Sequence, residues 1–518
     1  MPTELADLPL ELLPQLLAPL SARRDLYAVC LVSRAWRDVG RRRLYDHVRL
    51  FGRDLAIAPL LFSTLADHPH LAALVRKLEV RVYPLSMKVT ERLEMAALAC
   101  RMLRHCINCQ ELVWTRKGAL VDMVFEEIVR LPRLRSFECN AHTNLSPGSW
   151  DAEYFLSLPP LQSLSLILPD RNIANILPPF LERQKAQSRQ ATWFSSDEDV
   201  LLLEELSILC RESTIINDRT VDALISTLAG SRLRSLAFAG CAKLTGAPLL
   251  RLVPSLPHLR HLALEACNLH PSFYTDVAPS LAALESLKLT HPGPAHPTLP
   301  AFFPALETLL SSTHSLTAFT LYHSGAASTG RREWPVLPTA FVQHVAHTVG
   351  PRLRKFEVSG VLVGVDAVEI LANEARDLRN LVLHLGHDFD LASLTAAFAP
   401  FSKLRTLHLL SQRADVSPDD VLTLAEQCSP TLRQIGFRNR VWIVKRSYPP
   451  DAPPQVSLGP YDLPWWPEAL LVVRFYETAA AFGAFRRNRY GAESDVETEV
   501  ESADEEGDSS ADEEAVGE

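Results

Sequence analysis

The sequence has no long apolar run and no regular cysteine framework. The longest apolar stretches, such as ALLVV before Arg474, fall far short of the roughly 20 residues that a membrane helix needs. Glu4, Asp7 and Glu11 stand where a secretory signal requires positive charge, so we expect neither a signal peptide nor a membrane partner. Nine cysteines without framework spacing indicate reduced thiols, which favours a cytoplasmic or nuclear location.

The sequence also lacks an excess of basic charge. The formal net charge is −9, but residues 493–518 alone carry thirteen acidic side chains and no basic ones. Removing those thirteen negative charges leaves about +4 for the rest of the chain. A nearly neutral body does not predict nucleic acid as a partner. The low-complexity acidic segment predicts a disordered tail over residues 491–518.

Motifs of catalysis and cofactor binding are missing as well. The sequence contains no P-loop, no dinucleotide-binding glycine pattern, no H-E-x-x-H and no G-x-S-x-G. Cys100, His105, Cys106 and Cys109 are close together, but this single C-x-x-C has no second ligand pair at the spacing of a zinc site. We therefore expect no catalytic residue, metal, cofactor or small-molecule ligand, and predict that the protein is not an enzyme.

The N-terminal stretch is rich in leucine and predicts short amphipathic helices. Leu8, Leu12, Leu16 and Leu20 recur every four residues, which places them on one helical face. A unit of about 40 residues cannot bury such a face alone, and each large side chain gains about 1.5–3 kcal/mol when it is covered. Two readings follow: a helical pair that caps a larger fold, or a surface for a partner. Pro14 and Pro19 predict an interruption of the first helix near residue 14.

The order of residues in LPLELLPQLLAPLSARRDLYAVCLVSRAWRDV resembles the F-box. The Leu-Pro-x-Glu start, the leucine ladder, Asp-Leu and the final Val-Ser-Arg-x-Trp-Arg all fall on that pattern. The resemblance implies docking to the Skp adaptor, and through it to a cullin, in a ubiquitin ligase. The residues that it places at the adaptor contact are Leu8, Pro9, Leu12, Leu16, Leu20, Val29, Val32 and Trp36.

A repeat of the form Leu-x-x-Leu-x-Leu occupies the long middle of the chain. Clear copies begin at Leu134, Leu161, Leu203, Leu233, Leu259, Leu284, Leu316, Leu353, Leu378, Leu404 and Leu432, and degenerate copies lie near Leu74 and Leu112. Spacings such as 26, 25 and 28 residues are typical of leucine-rich repeats, in which a short strand and a helix bury their apolar faces by stacking on neighbours. The array resembles the irregular repeats of fungal-type F-box proteins. Val48 and Leu50 alternate like a first strand, and the polar stretch RQKAQSRQATWFSSDEDV predicts a loop.

Strand alternation predicts which side chains line the concave face. If Leu262 and Leu264 point into the core, the same rule places a second set on the opposite face. This set predicts a mildly basic, aromatic-containing strip that binds an unknown protein substrate. The residues proposed for substrate binding are Tyr322, Lys355, His384, His408 and Arg438.

Together these patterns predict an α/β protein. A helical F-box module over residues 1–50 precedes a curved leucine-rich-repeat solenoid over 51–445, with parallel strands on its concave face and helices outside. A C-terminal cap over 446–490, with Trp465 and Trp466, and the acidic tail follow. The predicted function is that of a substrate-recognition subunit of an SCF-type cullin ubiquitin ligase. The alternative is a leucine-rich-repeat interaction scaffold without a ligase role.

Overall fold

The structure is a computed structural model of the 518-residue chain. It describes residues 10–20, 23–50, 56–81, 83, 89–144, 149–191, 201–293, 296–323, 334–411, 413, 415–438, 440–449 and 455–460. The predicted contacts Leu8 and Pro9, the loop aromatics after residue 191, most of the predicted cap and the acidic tail lie outside these residues.

The strands of the described residues form one sheet in which spatial order equals chain order. They are β1 (His47–Leu50), β2 (Lys77–Val80), β3 (Glu111–Trp114), β4 (Ser136–Asn140), β5 (Ser163–Ile167), β6 (Glu205–Asn217), β7 (Ser235–Lys243), β8 (His261–Glu265), β9 (Ser286–Thr290), β10 (Ala318–Tyr322), β11 (Lys355–Val363), β12 (Asn380–Leu385), β13 (Thr406–Leu410), β14 (Gln434–Phe437), β15 (Arg440–Ser447) and β16 (Gln455–Pro460). Neighbours from β1 to β14 are parallel, and β14, β15 and β16 are antiparallel. Every predicted repeat copy, including the two degenerate ones, forms one of the strands β2 to β14.

Three helices precede β1, and the other helices connect the parallel strands. They are α1 (Leu13–Leu17), α2 (Arg23–Cys30), α3 (Arg34–Asp46), α4 (Ala58–Asp67), α5 (Pro69–Ala72), α6 (Val89–His105), α7 (Asp122–Val129), α8 (Glu153–Leu156), α9 (Arg171–Ala191), α10 (Asp218–Leu228), α11 (Gly246–Leu252), α12 (Ser272–Val277), α13 (Leu299–Ser312), α14 (Thr339–Thr348), α15 (Val365–Glu374), α16 (Leu391–Phe398) and α17 (Pro418–Gln427). None of the helices in the described part of the chain has the length and apolarity of a membrane span.

One apolar core runs along the whole solenoid. In a typical repeat, Leu236 and Phe238 of β7 and Val221 and Leu224 of α10 all belong to this core and are buried. Packed helices stand about 8–10 Å apart and paired strands about 4.8 Å apart. The strand side of such a stack is therefore the concave one, as predicted, and the fold is a leucine-rich-repeat solenoid.

Several boundaries differ from the sequence-based expectation. The strand β1 lies within residues 1–50 yet belongs to the solenoid sheet, because it follows α3 directly and pairs with β2. The sheet also continues past β14, since a tight turn at Arg438 sends the chain back as β15. The prediction of a loop from Arg183 onward was wrong up to Ala191: α9 extends that far, because Gln, Lys, Ala and Arg are good helix formers.

Candidate binding surfaces

The N-terminal helices begin with a 3₁₀ turn, Leu10–Leu12, that passes directly into α1. Pro14 lies in the first turn of α1, where a missing N–H breaks no helical hydrogen bond, and Pro19 follows the C-cap residue Ala18. The interruption expected near residue 14 is therefore a change of helix type before Pro14. Neither Pro14 nor Pro19 lies in the interior of α1.

The helix α1 has two apolar faces. Leu13 and Leu17 are buried against α3, whereas Leu12 is 41% exposed and Leu16 is 47% exposed. Residues four apart share a helical face, so Leu12 and Leu16 form one ridge that the described residues of the chain do not cover. The spacing correctly placed these two leucines on a common face.

The end of α2 and the turn after it also leave apolar side chains exposed. Leu26 and Cys30 face inward, while Tyr27, Leu31 and Val32 are 60%, 69% and 66% exposed. The chain turns through Leu31 and Val32, and the Ser33 hydroxyl then accepts a hydrogen bond from the Trp36 N–H at 3.4 Å, which caps the start of α3. The turn therefore presents apolar side chains where a solvent-facing turn normally carries polar ones.

Of the eight predicted adaptor contacts, Leu12, Leu16 and Val32 are exposed, and Leu20, Val29 and Trp36 are half-buried. Leu8 and Pro9 lie outside the described residues. Tyr27 and Leu31 were missed, although both are large apolar side chains that the same helical unit leaves exposed. We call Leu12, Leu16, Tyr27, Leu31 and Val32 the apolar ridge.

Two side chains help to fix α2 and α3 to the rest of the protein. Arg23 of α2 donates a hydrogen bond from Nη2 to the Arg49 carbonyl of β1 at 2.9 Å. Arg43 of α3 donates to the Ala18 carbonyl at 3.4 Å. Inside the pair, Gly40 allows close approach, because a Cβ there would lie 2.8 Å from the Cys30 Sγ. The ridge is thus presented by a helical unit joined to the first strand.

The concave face carries rows of side chains that run across the strands. The register aligns Ala263 with Lys288, then with Thr320 and Glu357, in successive strands β8 to β11. Strand pairing therefore confirms that Lys355, Tyr322, His384 and His408 occupy concave positions. Arg438 does not, because the chain has left β14 and turns there with φ 55°.

A carboxylate lies at the centre of the first concave network. Glu79 of β2 contacts the His47 Nε2 at 2.8 Å and the Arg81 Nε at 3.1 Å, and Arg81 also pairs with Glu138 at 3.2 Å. Burial alone would raise the pKa of Glu79, but the hydrogen bond with His47 and the charges of Arg81 and Lys77 outweigh it and lower the pKa to about 2. This network holds the first strands of the solenoid together.

The later concave rows are not the basic strip that the sequence predicted. Lys288 pairs with Glu265 at 2.6 Å and Lys355 with Glu357 at 2.9 Å, so both lysine charges are neutralised locally. Tyr322 is buried, with the Lys288 Nζ 5.8 Å from its ring centre.

The two predicted histidines are buried as well. Burial, and then the nearby His387, lower the pKa of His384 to about 4, and burial lowers the pKa of His408 to about 4. Both are therefore neutral near pH 7. Of the five predicted substrate contacts, only Lys355 and Arg438 keep substantial exposed surface.

The cysteine cluster near residue 100 is part of the core. Cys106 and Cys109 are fully buried, and Cys100 donates a hydrogen bond from Sγ to the Met123 carbonyl at 3.2 Å. Within the described residues, no group of three or more His, Cys, Asp or Glu side chains is arranged to hold a metal ion.

A family model described as F-box-like matches residues 5–50. The chain thus carries an F-box-like domain followed by a leucine-rich-repeat solenoid. No curated protein matches the chain.

Solved structures share parts of this architecture at low identity. The Rad7 and Elc1 complex in yeast is 15% identical over 79% of this chain and 91% of that chain, with a TM-score of 0.39. The leucine-rich repeat-containing protein LegL7 from Legionella pneumophila is 13% identical over 58% and 92%, with a TM-score of 0.34. An internalin (inlF) from Listeria monocytogenes is 13% identical over 65% and 78%, with a TM-score of 0.29.

Proposed function

We propose that this protein is the substrate-recognition subunit of an SCF-type cullin ubiquitin ligase. Its F-box-like domain would bind an Skp-type adaptor, and through it a cullin, while the concave face of the solenoid would hold a target protein. The protein would act in the cytoplasm or nucleus, and the ligase's partner enzyme would transfer ubiquitin. The protein would contribute proximity rather than catalysis.

The observation that supports this proposal most is the apolar ridge of the F-box-like domain. Exposed apolar patches rimmed by polar residues are typical of protein–protein interfaces. The ridge is rimmed by charged side chains of α2 and α3, including the exposed Arg24, Asp25 and Arg34. A few well-buried residues supply most of the binding energy at an interface, and tyrosine, here Tyr27, is frequent among them.

The affinity that the ridge contributes can be estimated from its exposure. Leu12, Leu16 and Val32 are about half exposed, so covering them is worth about 1 kcal/mol each. Replacing all three by aspartate removes about 3 kcal/mol and buries charge, so adaptor affinity should fall by at least roughly a hundredfold.

The test compares Leu12→Asp/Leu16→Asp/Val32→Asp with a matched control on the helical side of the solenoid. The control is Leu60→Asp/Val89→Asp/Leu93→Asp, which changes the same residue types at sites that are 67%, 63% and 59% exposed. We expect wild type and the control to co-purify with the Skp adaptor and the ridge variant to lose it. Absence of adaptor from the wild-type preparation would support the scaffold without a ligase role, and equal loss in both variants would remove the assignment to the ridge.

Target binding is assigned to the concave face, where Tyr322, Lys355, His384 and His408 are the proposed contacts, together with Arg438 on the turn that follows β14. Lys355 and Arg438 are the more accessible of these and would contact the target directly. The buried Tyr322, His384 and His408 would shape the surface beneath it. Crosslinking mass spectrometry on cell extract, with wild type and Lys355→Ala/Arg438→Ala compared, tests this assignment: the double variant should lose crosslinks to the target and keep those to the adaptor.

A further inference from the structure

The loops that join each helix to the next strand form one rim of the solenoid, and the last of these loops are strongly basic. The loops 349–354, 375–379, 399–405 and 428–433 contain seven lysine and arginine side chains and one acidic residue, Asp377. Arg352, Arg376 and Lys403 are exposed members of this set. Arginines at one equivalent position in the four loops make up the rest, and we call them the arginine rim: Arg354, Arg379, Arg405 and Arg433.

Backbone hydrogen bonds hold the arginine rim in a regular ladder. The Arg379 N–H donates to the Arg354 carbonyl at 2.8 Å, Arg405 to Arg379 at 2.7 Å, and Arg433 to Arg405 at 2.8 Å. Successive rungs therefore stand about 4.8 Å apart, the spacing of paired strands. Their side chains are exposed or half-exposed. The backbone thus holds four arginines in a row, and their positive charge is complementary to that of an acidic polypeptide.

Three of the four arginines at earlier rungs of the same rim have a carboxylate neighbour, whereas Arg135 has no ion pair among the described residues. Arg76 lies 3.6 Å from Asp46, Arg234 lies 3.9 Å from Glu204, and Arg260 lies 4.0 Å from Glu285. On the arginine rim, the one loop carboxylate, Asp377, pairs with Lys403 at 2.5 Å, and the charges of Arg379 and Arg354 also lower its pKa, so it offsets one of the seven positive charges. Among the described residues, no ion pair connects any of the four arginines to a carboxylate. The positive charge of this stretch is therefore available to an outside anion.

The chain contains a segment of complementary charge that can reach this site. Residues 493–518 carry thirteen acidic and no basic side chains. The described chain ends at Pro460 on β16, two strands from β14, and β16 is about 24 Å from β11 at about 4.8 Å per strand. The 32 residues from 461 to 492 span about 48 Å as a helix and about 100 Å when extended, so the connection is long enough in either case.

We propose that the acidic segment 493–518 docks on the arginine rim of its own chain. Connection within one molecule raises the effective concentration of the segment to the millimolar range, so weak individual contacts suffice. Arginine pairs with carboxylates in a bidentate manner, which favours it over lysine at such a site. This inference does not depend on the proposed adaptor role.

The test measures cleavage of the acidic segment by a glutamate-specific protease in the full chain. Protection is expressed as the cleavage rate of a free synthetic peptide of residues 493–518 divided by the cleavage rate of the same segment in the full chain. Both rates are measured under the same conditions, so the effect of salt on the protease cancels. At an effective concentration of about 1 mM and a local Kd of about 0.1–1 mM, docking should slow cleavage about two- to tenfold. At about 50 mM NaCl the protection should be present, and at about 500 mM it should disappear.

The variant Arg354→Gln/Arg379→Gln/Arg405→Gln/Arg433→Gln should lose this protection at low salt. The corresponding arginine-to-lysine variant keeps the charge and should retain part of it, which guards against a loss of folding. The matched control is Arg76→Gln/Arg133→Gln/Arg135→Gln/Arg234→Gln, which changes the net charge equally on earlier loops of the same rim and should behave like wild type.

Three outcomes would overturn the proposal. Equal cleavage of segment and free peptide would show that the segment is not docked. Protection that survives in the rim variant would place it elsewhere, for example on the arginines at 486–489 that precede it. Protection that rises with protein concentration would mean docking on a second copy.

Discussion

Protonation of His408 should destabilise the last repeats of the solenoid as the pH falls. His408 lies on β13 with its ring against β14, where a Cβ on Gly436 would be only 3.0 Å from the ring. The Gln434 side-chain N–H donates to the His408 Nε2 at 2.7 Å, so this nitrogen is an acceptor in the folded state. A proton on Nε2 would face another donor inside a buried site. Gln434 and burial therefore both favour the neutral ring.

The size of the effect follows from the two pKa values. Burial lowers the pKa of His408 to about 4 in the folded protein, from an ordinary value near 6.5. The unfolded chain therefore binds more protons between these values, and stability is present above pH 6.5 and lost as the pH falls toward 4. Between pH 7 and pH 5 the loss amounts to about 2 kcal/mol for this one residue.

Hydrogen exchange of β12 to β14, corrected for the intrinsic pH dependence of exchange, measures this loss as a lower free energy of local opening. His408→Gln supplies the comparison, since glutamine keeps polar contact with Gln434 but does not titrate. We expect the difference in opening free energy between wild type and variant to change by about 2 kcal/mol between pH 7 and pH 5. An unchanged difference would refute the assignment of a buried neutral imidazole.

Two further substitutions test the first repeats and the F-box-like domain. Glu79→Gln should lower the free energy of unfolding by about 3 kcal/mol, because it leaves Arg81 buried with one partner fewer, and it should remove the loss of stability that wild type shows as the pH falls from about 4.5 to 2. Urea unfolding across that pH range checks both effects. Wild-type stability in the variant would contradict the network. Gly40→Ala should destabilise the α2–α3 pair by about 1–2 kcal/mol, since overpacking against the Cys30 Sγ exceeds the gain in helix propensity. Adding Cys30→Ala should relieve the overpacking. Hydrogen exchange that is unaffected by Gly40→Ala would show that the contact is not tight.

The repeat could be predicted from the sequence because its signal is local and recurs. Two apolar residues two apart, once per 25 to 28 residues, fix both the strand and the face that is buried. Even the degenerate copies near Leu74 and Leu112 became β2 and β3. A single strand of this pattern would not show which of its faces is buried. In a repeat, each copy is buried by its neighbours in the same way, so the recurring pattern identifies that face.

The state of the concave side chains could not be predicted in this manner. Alternation gave the correct face for Tyr322, His384 and His408, but not their burial, which depends on the neighbours about 4.8 Å away on adjacent strands. The pairing of Lys355 with Glu357 likewise depends on side-chain geometry. Arg438 was placed on a strand because nothing local distinguishes the turn that follows Phe437 from one more strand residue.

For the apolar ridge as well, local sequence predicted which residues share a face but not which face is exposed. The spacing of Leu12 and Leu16 established that they share a face, but Leu13 and Leu17 form an equally apolar face of the same helix. Which face is buried depends on α3, which the periodicity of α1 does not encode. Tyr27 and Leu31 were overlooked for the same reason, because their exposure follows from how α2 packs on α3.

The central claim is that the apolar ridge is open in the free protein and is covered by an adaptor chain. Hydrogen exchange of residues 10–37, in the full chain alone and with a saturating amount of purified Skp adaptor, tests it most directly. We predict slower exchange of this segment in the complex, unchanged exchange in α4 and α6, and no slowing in Leu12→Asp/Leu16→Asp/Val32→Asp. Exchange in residues 10–37 that is the same with and without the adaptor would contradict the account.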